Sequence, residues 1–228
     1  MKKTVLTFSF LLFVITCPAA FAAEQTGNCH CFRNRVYNPA DRYAADDYLL
    51  TTVFNSLIAQ YFSISKRQIV MMKMKGGVSN DDLLIGLYLS KCTGTEVNDL
   101  LAQKGKNPWP QVLSSIRIQV QTQGNCEQAD QFIKGLPATE AAGKIILEML
   151  RNRFTITDKA LRSLREQGLS SREIALVLTL ANHLQVEPEV IYTQYKKKGF
   201  SWSEIAHNFG LEPTEVGKLP GQSSAKQH

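Results

Sequence analysis

Cys29-His30-Cys31 is the densest group of metal-ligating side chains in the sequence. Two thiols and an imidazole this close together could converge on Cu(I) or Zn(II), which both accept such donors. Two further cysteines, Cys92 and Cys126, bring the number after residue 22 to four. In an oxidising compartment an even number reads as two disulfides; that is the expected chemistry, with metal bound by Cys29, His30 and Cys31 as the alternative. A two-residue spacing gives poor bridge geometry, so Cys29 and Cys31 are each expected to pair with Cys92 or Cys126, in either order. Loops of about 60 to 95 residues closed in this way would contribute about 3–5 kcal/mol each. There is no Cys-x-x-Cys-His run for covalent haem, and no motif implies a cofactor.

Trp109 and Trp202 form a second set. Each follows a basic, glycine-containing loop, Lys104-Gly105-Lys106 and Lys196-Lys197-Lys198-Gly199. As core residues they would anchor a closing helix. As a binding edge, Trp109, Trp202, Lys197 and Lys198 would offer aromatic and cationic side chains to a partner. The carboxylate pairs Asp46-Asp47 and Asp81-Asp82 could in principle do acid–base work. Both stand at expected helix starts, where negative charge suits the helix dipole. His183 and His207 are isolated on expected helices. No Gly-x-Ser-x-Gly, His-Glu-x-x-His or phosphate-cradling glycine loop occurs, and no catalytic residue is assigned.

The elements that would position these residues repeat. Asp46–Ile116 aligns with Ala138–Phe209. Val53, Phe54, Leu57 and Ile58 fall on Ile145, Ile146, Met149 and Leu150. Phe62-Ser63-Ile64-Ser65 falls on Phe154-Thr155-Ile156-Thr157, and Gly76 on Gly168. With short gaps, Asp82-Leu83 falls on Glu173-Ile174, and Trp109 and Val112 on Trp202 and Ile205. The unit reads as four helices and a short closing one. The first spans about 47–61 and 139–152, with apolar residues at three- and four-residue spacing. The second starts after Ser65 or Thr157 and stops at Gly76 or Gly168. The third opens on Ser79-Asn80-Asp81-Asp82 or on the capping box Ser170-Ser171-Arg172-Glu173, and is apolar nearly all round, as a central helix must be. The fourth covers about 96–104 and 188–198, with Pro188 at its first position. Ser201-Trp202-Ser203-Glu204 caps the closing helix, Pro108-Trp109-Pro110-Gln111 is its stiffened counterpart, and Pro213 can open one more turn. Little or no sheet is expected.

Residues 1–22 form a secretory leader: Lys2 and Lys3, an uncharged apolar run from Val5 to Thr16, and Ala20-Phe21-Ala22 before the cut. The run is shorter than the ~20 residues a membrane span needs. Cys17 raises the alternative of a lipid anchor, but Thr16 and Ile15 before it and Pro18 after it suit that poorly. Roughly 200 residues remain, enough for one large or two small cores, with no further apolar stretch long enough to span a membrane. The formal charge of +6 includes Lys2 and Lys3; the mild excess left behind suits attraction to anionic envelope surfaces.

The cadence Gly199-Phe200-Ser201-Trp202-Ser203-Glu204-Ile205-Ala206, its counterpart Gly168-Leu169-Ser170-Ser171-Arg172-Glu173-Ile174-Ala175, and Asn28-Cys29-His30-Cys31-Phe32 after a leader together resemble a group of exported bacterial proteins with duplicated helical repeats and no assigned activity. That resemblance covers most of 28–210 and implies export and a helical repeat. Ser203–Val216 is similar to a helix-turn-helix core, which implies a DNA-binding alternative. Glu212, Thr214 and Glu215 on its second helix would repel phosphate, and the leader sends the chain away from DNA, so no nucleic acid is expected.

The expected molecule is therefore a periplasmic or secreted all-α protein. It comprises a leader (1–22), a cysteine-containing arm stapled across the first repeat (23–45), repeat 1 (46–118), a linker (119–137), repeat 2 (138–216) and a disordered tail (217–228). Its expected role is non-catalytic binding of a protein, peptide or envelope polymer.

Overall fold

The computed structural model describes residues 32–105, 107–116 and 135–221. Among these residues it is all-helical, without strands. The helices are α1 (Asp46–Tyr61), α2 (Lys66–Gly76), α3 (Asn80–Thr93), α4 (Val97–Lys104), α5 (Trp109–Ile116), α6 (Ala138–Phe154), α7 (Asp158–Glu166), α8 (Ser171–Leu184), α9 (Pro188–Lys196), α10 (Trp202–Asn208) and α11 (Pro213–Val216). A 3-10 turn, Leu219–Gly221, follows.

Capping side chains set the helix starts. Ser65 and Gln68 form a reciprocal capping box at α2, as do Ser170 and Glu173 at α8 and Ser201 and Glu204 at α10. Ser79 caps α3 in one direction only, accepting from the amide of Asp82. The Asp82 side chain is engaged elsewhere, accepting from Trp109 Nε1 at 2.7 Å and lying 3.6 Å from Lys104 Nζ. Left-handed residues set several of the ends. Ser63, Thr155 and Gln185 adopt positive φ although none is glycine, a conformation uncommon for side chains with a Cβ.

α8 lies at the centre. Residues Ile174 to Ala181 are buried without interruption, and α1, α6, α7 and α9 pack around it. In α3, Leu83 to Leu89 are buried in the same way. The principal pairings are reciprocal: α3 lies along α6, and α1 along α8. Gly86 gives α4 room to approach α3, since a Cβ there would stand 2.9 Å from Leu101 Cδ2. No described helix is long and apolar enough to cross a membrane.

Two flanking segments pack on the helices. The described part of the arm meets both ends of the fold: Phe32 packs edge-on against Tyr48 of α1 with Arg35 over the same ring, and the rest packs on α10 and α11. Tyr37 stacks on His207 with centroids 4.5 Å apart, its amide donates to Glu212, and the Arg42 carbonyl accepts from the hydroxyls of Ser201 and Ser203. The tail, expected to be disordered from Gly217, is packed as far as Gly221. The Gly217 carbonyl accepts from Ser56 on α1 at 2.6 Å, and Pro220 is buried. The apolar seal here comes from a proline, a residue that carries no helical periodicity to read.

Candidate functional site

Cys29, His30, Cys31 and Cys126 lie outside the described residues, as does the leader. Cys92 is half-buried at the C-terminal end of α3, beside Tyr61 and Tyr88. The expected pairing partners of Cys92 are thus all outside the described residues. No disulfide, and no cluster of three metal-ligating side chains, occurs among the described residues.

The tryptophans are in the core. Trp109 is 4% exposed and Trp202 2%. Tyr195 stacks on Trp202 with centroids 3.9 Å apart, and burial against Glu173 pushes the Tyr195 hydroxyl up to about 12. The aromatic half of the expected binding edge is therefore packed away from solvent. Its cationic half, Lys197 and Lys198, is exposed, with Lys197 3.9 Å from Glu189. His183 and His207 are exposed, and His207 stands 3.6 Å from Glu212. The segment likened to a helix-turn-helix buries Ile205, Ala206 and Val216 and turns at Gly210, so α10 and α11 use it for packing.

Two carboxylates tie distant helices together. Asp46, expected to serve its own helix start, accepts from the amides of Trp202 (3.0 Å) and Ser203 (2.8 Å) and from the Ser203 hydroxyl (2.8 Å). It therefore caps α10, 156 residues away. Burial raises its pKa, against the lowering effect of those three donors. Glu148 on α6 accepts from Tyr61 at 2.8 Å and Tyr88 at 3.2 Å, joining α1, α3 and α6; burial beside this carboxylate drives both phenols well above the usual tyrosine range.

Helix α2 is built differently. It contains Lys66, Arg67, Lys73 and Lys75 and no acidic residue. Lys66 and Arg67 occupy its first turn, the positive end of the helix dipole, where cations are unfavourable. Lys73 is only 6% exposed, and its ammonium donates to the Asn55 side-chain oxygen at 2.9 Å. Burial, with the Arg172 guanidinium nearby, lowers its pKa to about 8. Lys66, on the same face two turns earlier, donates to Thr52 Oγ1 (3.0 Å) and the Gly217 carbonyl (3.3 Å), and burial lowers its pKa as well. The buried Lys73 amine and the half-buried Lys66 amine thus have neutral partners. Elsewhere Arg42, Lys104 and Arg151 each meet a carboxylate. Among the described residues none stands within ion-pair distance of Lys66, Arg67, Lys73 or Arg172. On the outer face, Arg67 and Gln68 are exposed and Met74 is 51% exposed.

This concentration of positive charge was not singled out from the sequence, although its signal was there. Lys73 falls four residues after Ile69, on the buried stripe of a helix without acids. Comparison with known proteins gave no matching family model, curated protein or solved structure.

Proposed function

We propose that this chain is exported and acts as a non-catalytic binding module whose partner is an anionic lipid surface of the envelope, met by α2. The observation that carries this is the composition of α2: four cations, no carboxylate, and cations at the end of the helix where they destabilise it. A residue choice that works against local stability marks a position kept for another purpose. Exposed Met74, two turns after Arg67 on the same face, adds an adaptable apolar contact to the charge, a combination that suits the boundary between headgroups and acyl chains.

The same reading includes a duplicated helical unit that presents α2 on a rigid frame. Three features support the duplication. Ser63 and Thr155, at matched positions, share a left-handed backbone. The pairing of α3 with α6 is the counterpart of that between α8 and α1. Asp82 and Glu173, also matched, each accept a hydrogen bond from an aromatic side chain, Asp82 from Trp109 of α5 and Glu173 from Tyr195 of α9.

Sedimentation with vesicles tests the proposal. The protein is expected to sediment with phosphatidylglycerol–phosphatidylcholine vesicles at low salt and to be released as salt rises, because surface charge is screened over about 10 Å at 0.1 M. Arg67→Gln and Met74→Ser, both on the exposed face, should each weaken binding several-fold. Equal sedimentation with pure phosphatidylcholine, or binding unchanged in both variants, would rule the proposal out.

A further inference from the structure

The last described segment of the chain holds one of the cations of α2. After α11 the backbone turns over α1, and the 3-10 turn Leu219–Gly221 lies against α1 and α8. Two residues fix its seat. Gly217 is buried and has ordinary helical φ and ψ, yet a Cβ there would stand 2.5 Å from Thr52 Cγ2, so the close approach to α1 requires glycine. At the far end of the segment Pro220 is buried. The Gly217 carbonyl accepts from the Ser56 hydroxyl at 2.6 Å and from the Lys66 ammonium at 3.3 Å. Lys66 also donates to Thr52 Oγ1 at 3.0 Å, the same threonine against which Gly217 packs. Strap and amine therefore share one seat, and displacing Gly217 removes an acceptor of Lys66. Arg67, the next residue of the same turn, is exposed, whereas Lys66 is half-buried and bonded inward.

This hold is one that an anion can compete for. Both acceptors of Lys66 are neutral oxygens, and an ammonium bonds more strongly to a charged one. The strap is a single short turn near the end of the chain, where local opening costs less than in a core helix. We propose that residues 217–221 are an autoinhibitory strap. They occupy Lys66 in the unbound protein, and the phosphate of an anionic lipid headgroup takes the amine from the Gly217 carbonyl, releasing the strap and adding Lys66 to the contact surface of α2. This deepens the reading of α2 as a lipid-facing helix and rests on it for the ligand.

Two variants of the full chain displace the strap. Gly217→Val no longer fits against Thr52, and Pro220→Asp puts a charge into a buried seat; the second keeps the test usable if the first does not fold. One readout needs no lipid. Labelling of Lys66 by an amine-reactive ester is followed by peptide mass spectrometry, with exposed Lys159 as the internal reference. It should be several-fold faster in both variants than in the wild type. The other readout is sedimentation with phosphatidylglycerol–phosphatidylcholine vesicles at low salt. Both variants should bind about fivefold more tightly, the effect of one further cation near an anionic leaflet, and the gain should vanish when Lys66→Gln is added. Labelling of Lys66 unchanged by both variants overturns the hold of the strap. A gain in vesicle binding that survives Lys66→Gln, or no gain despite faster labelling, overturns the autoinhibition, because loosening of the chain end alone does not depend on the residue at 66. Failure of the reading of α2 looks different: no vesicle binding by the wild type or any variant, with the labelling effect intact, which removes the lipid from the proposal and keeps the latch on Lys66.

Discussion

Replacing Lys73 by Met should change how stability depends on pH, and the size of the change follows from the site. The amine has a pKa of about 8 in the folded protein against 10.5 in its ordinary state. Between these values the unfolded chain holds a proton that the folded chain does not. Stability therefore rises with pH across this window, and the contribution is lost as pH falls through 8. At about 1.36 kcal/mol per unit, the wild type should gain about 2–3 kcal/mol relative to Lys73→Met between pH 7 and pH 10. The neighbouring Arg172 guanidinium adds repulsion against the charged amine. Tyr61, Tyr88 and Tyr195 work in the opposite sense. Their folded pKa values are raised, so both proteins lose stability as pH climbs past about 10, and the difference between them cancels that loss. The assay is urea unfolding followed by far-UV circular dichroism at pH 7, 8, 9 and 10, in buffers free of phosphate. Two stability curves that stay parallel across the window would refute the claim that Lys73 is buried as an uncompensated amine.

Removing Asp46 should destabilise α10 from the opposite end of the chain. Asp46→Ala leaves the backbone amides of Trp202 and Ser203 without their acceptor, while the Ser203 hydroxyl keeps the Arg42 carbonyl, and is expected to cost about 2–3 kcal/mol in urea unfolding. Since burial raises the Asp46 pKa, the wild type should gain on Asp46→Asn as pH is lowered towards the ordinary value of 3.8, which paired unfolding curves would show. Trp202→Ala should cost about 3–5 kcal/mol, measured by thermal or urea unfolding, because it empties a fully buried site and removes the face on which Tyr195 stacks.

Local structure was readable because the signals for it are local. Ser170 with Glu173 and Ser201 with Glu204 announce helix starts, and the unbroken apolar run from Ile174 to Leu178 requires a central helix; all stand where the spacing places them. What could not be read involves partners far apart in sequence. Asp46 looks like a residue serving its own helix, and only the packing of α1 against α10 turns it into a cap for Trp202 and Ser203. The Trp109 and Trp202 side chains follow basic loops, which suggested an exposed edge; the Tyr195 stack and the Asp82 acceptor instead draw them inside. The candidate site was hidden for a related reason. A lysine on an apolar stripe ordinarily extends its amine to water along its own stem. Whether it does so at Lys73 depends on what covers that stretch of α2, and the cover comes from α1, with Arg172 at the start of α8 alongside.

The crossed pairing of α3 with α6 and of α1 with α8 carries a consequence for how the molecule is made and broken. Each half lends its first and third helices to the other's interior, so neither finishes a core by itself. The half synthesised first must wait for the second before its apolar faces are covered, and it depends meanwhile on whatever shields them. Once joined, the halves are held by this exchange as well as by the chain between them. A single cut between residues 116 and 135 should accordingly leave two fragments that migrate together until denatured, each serving as the other's missing half.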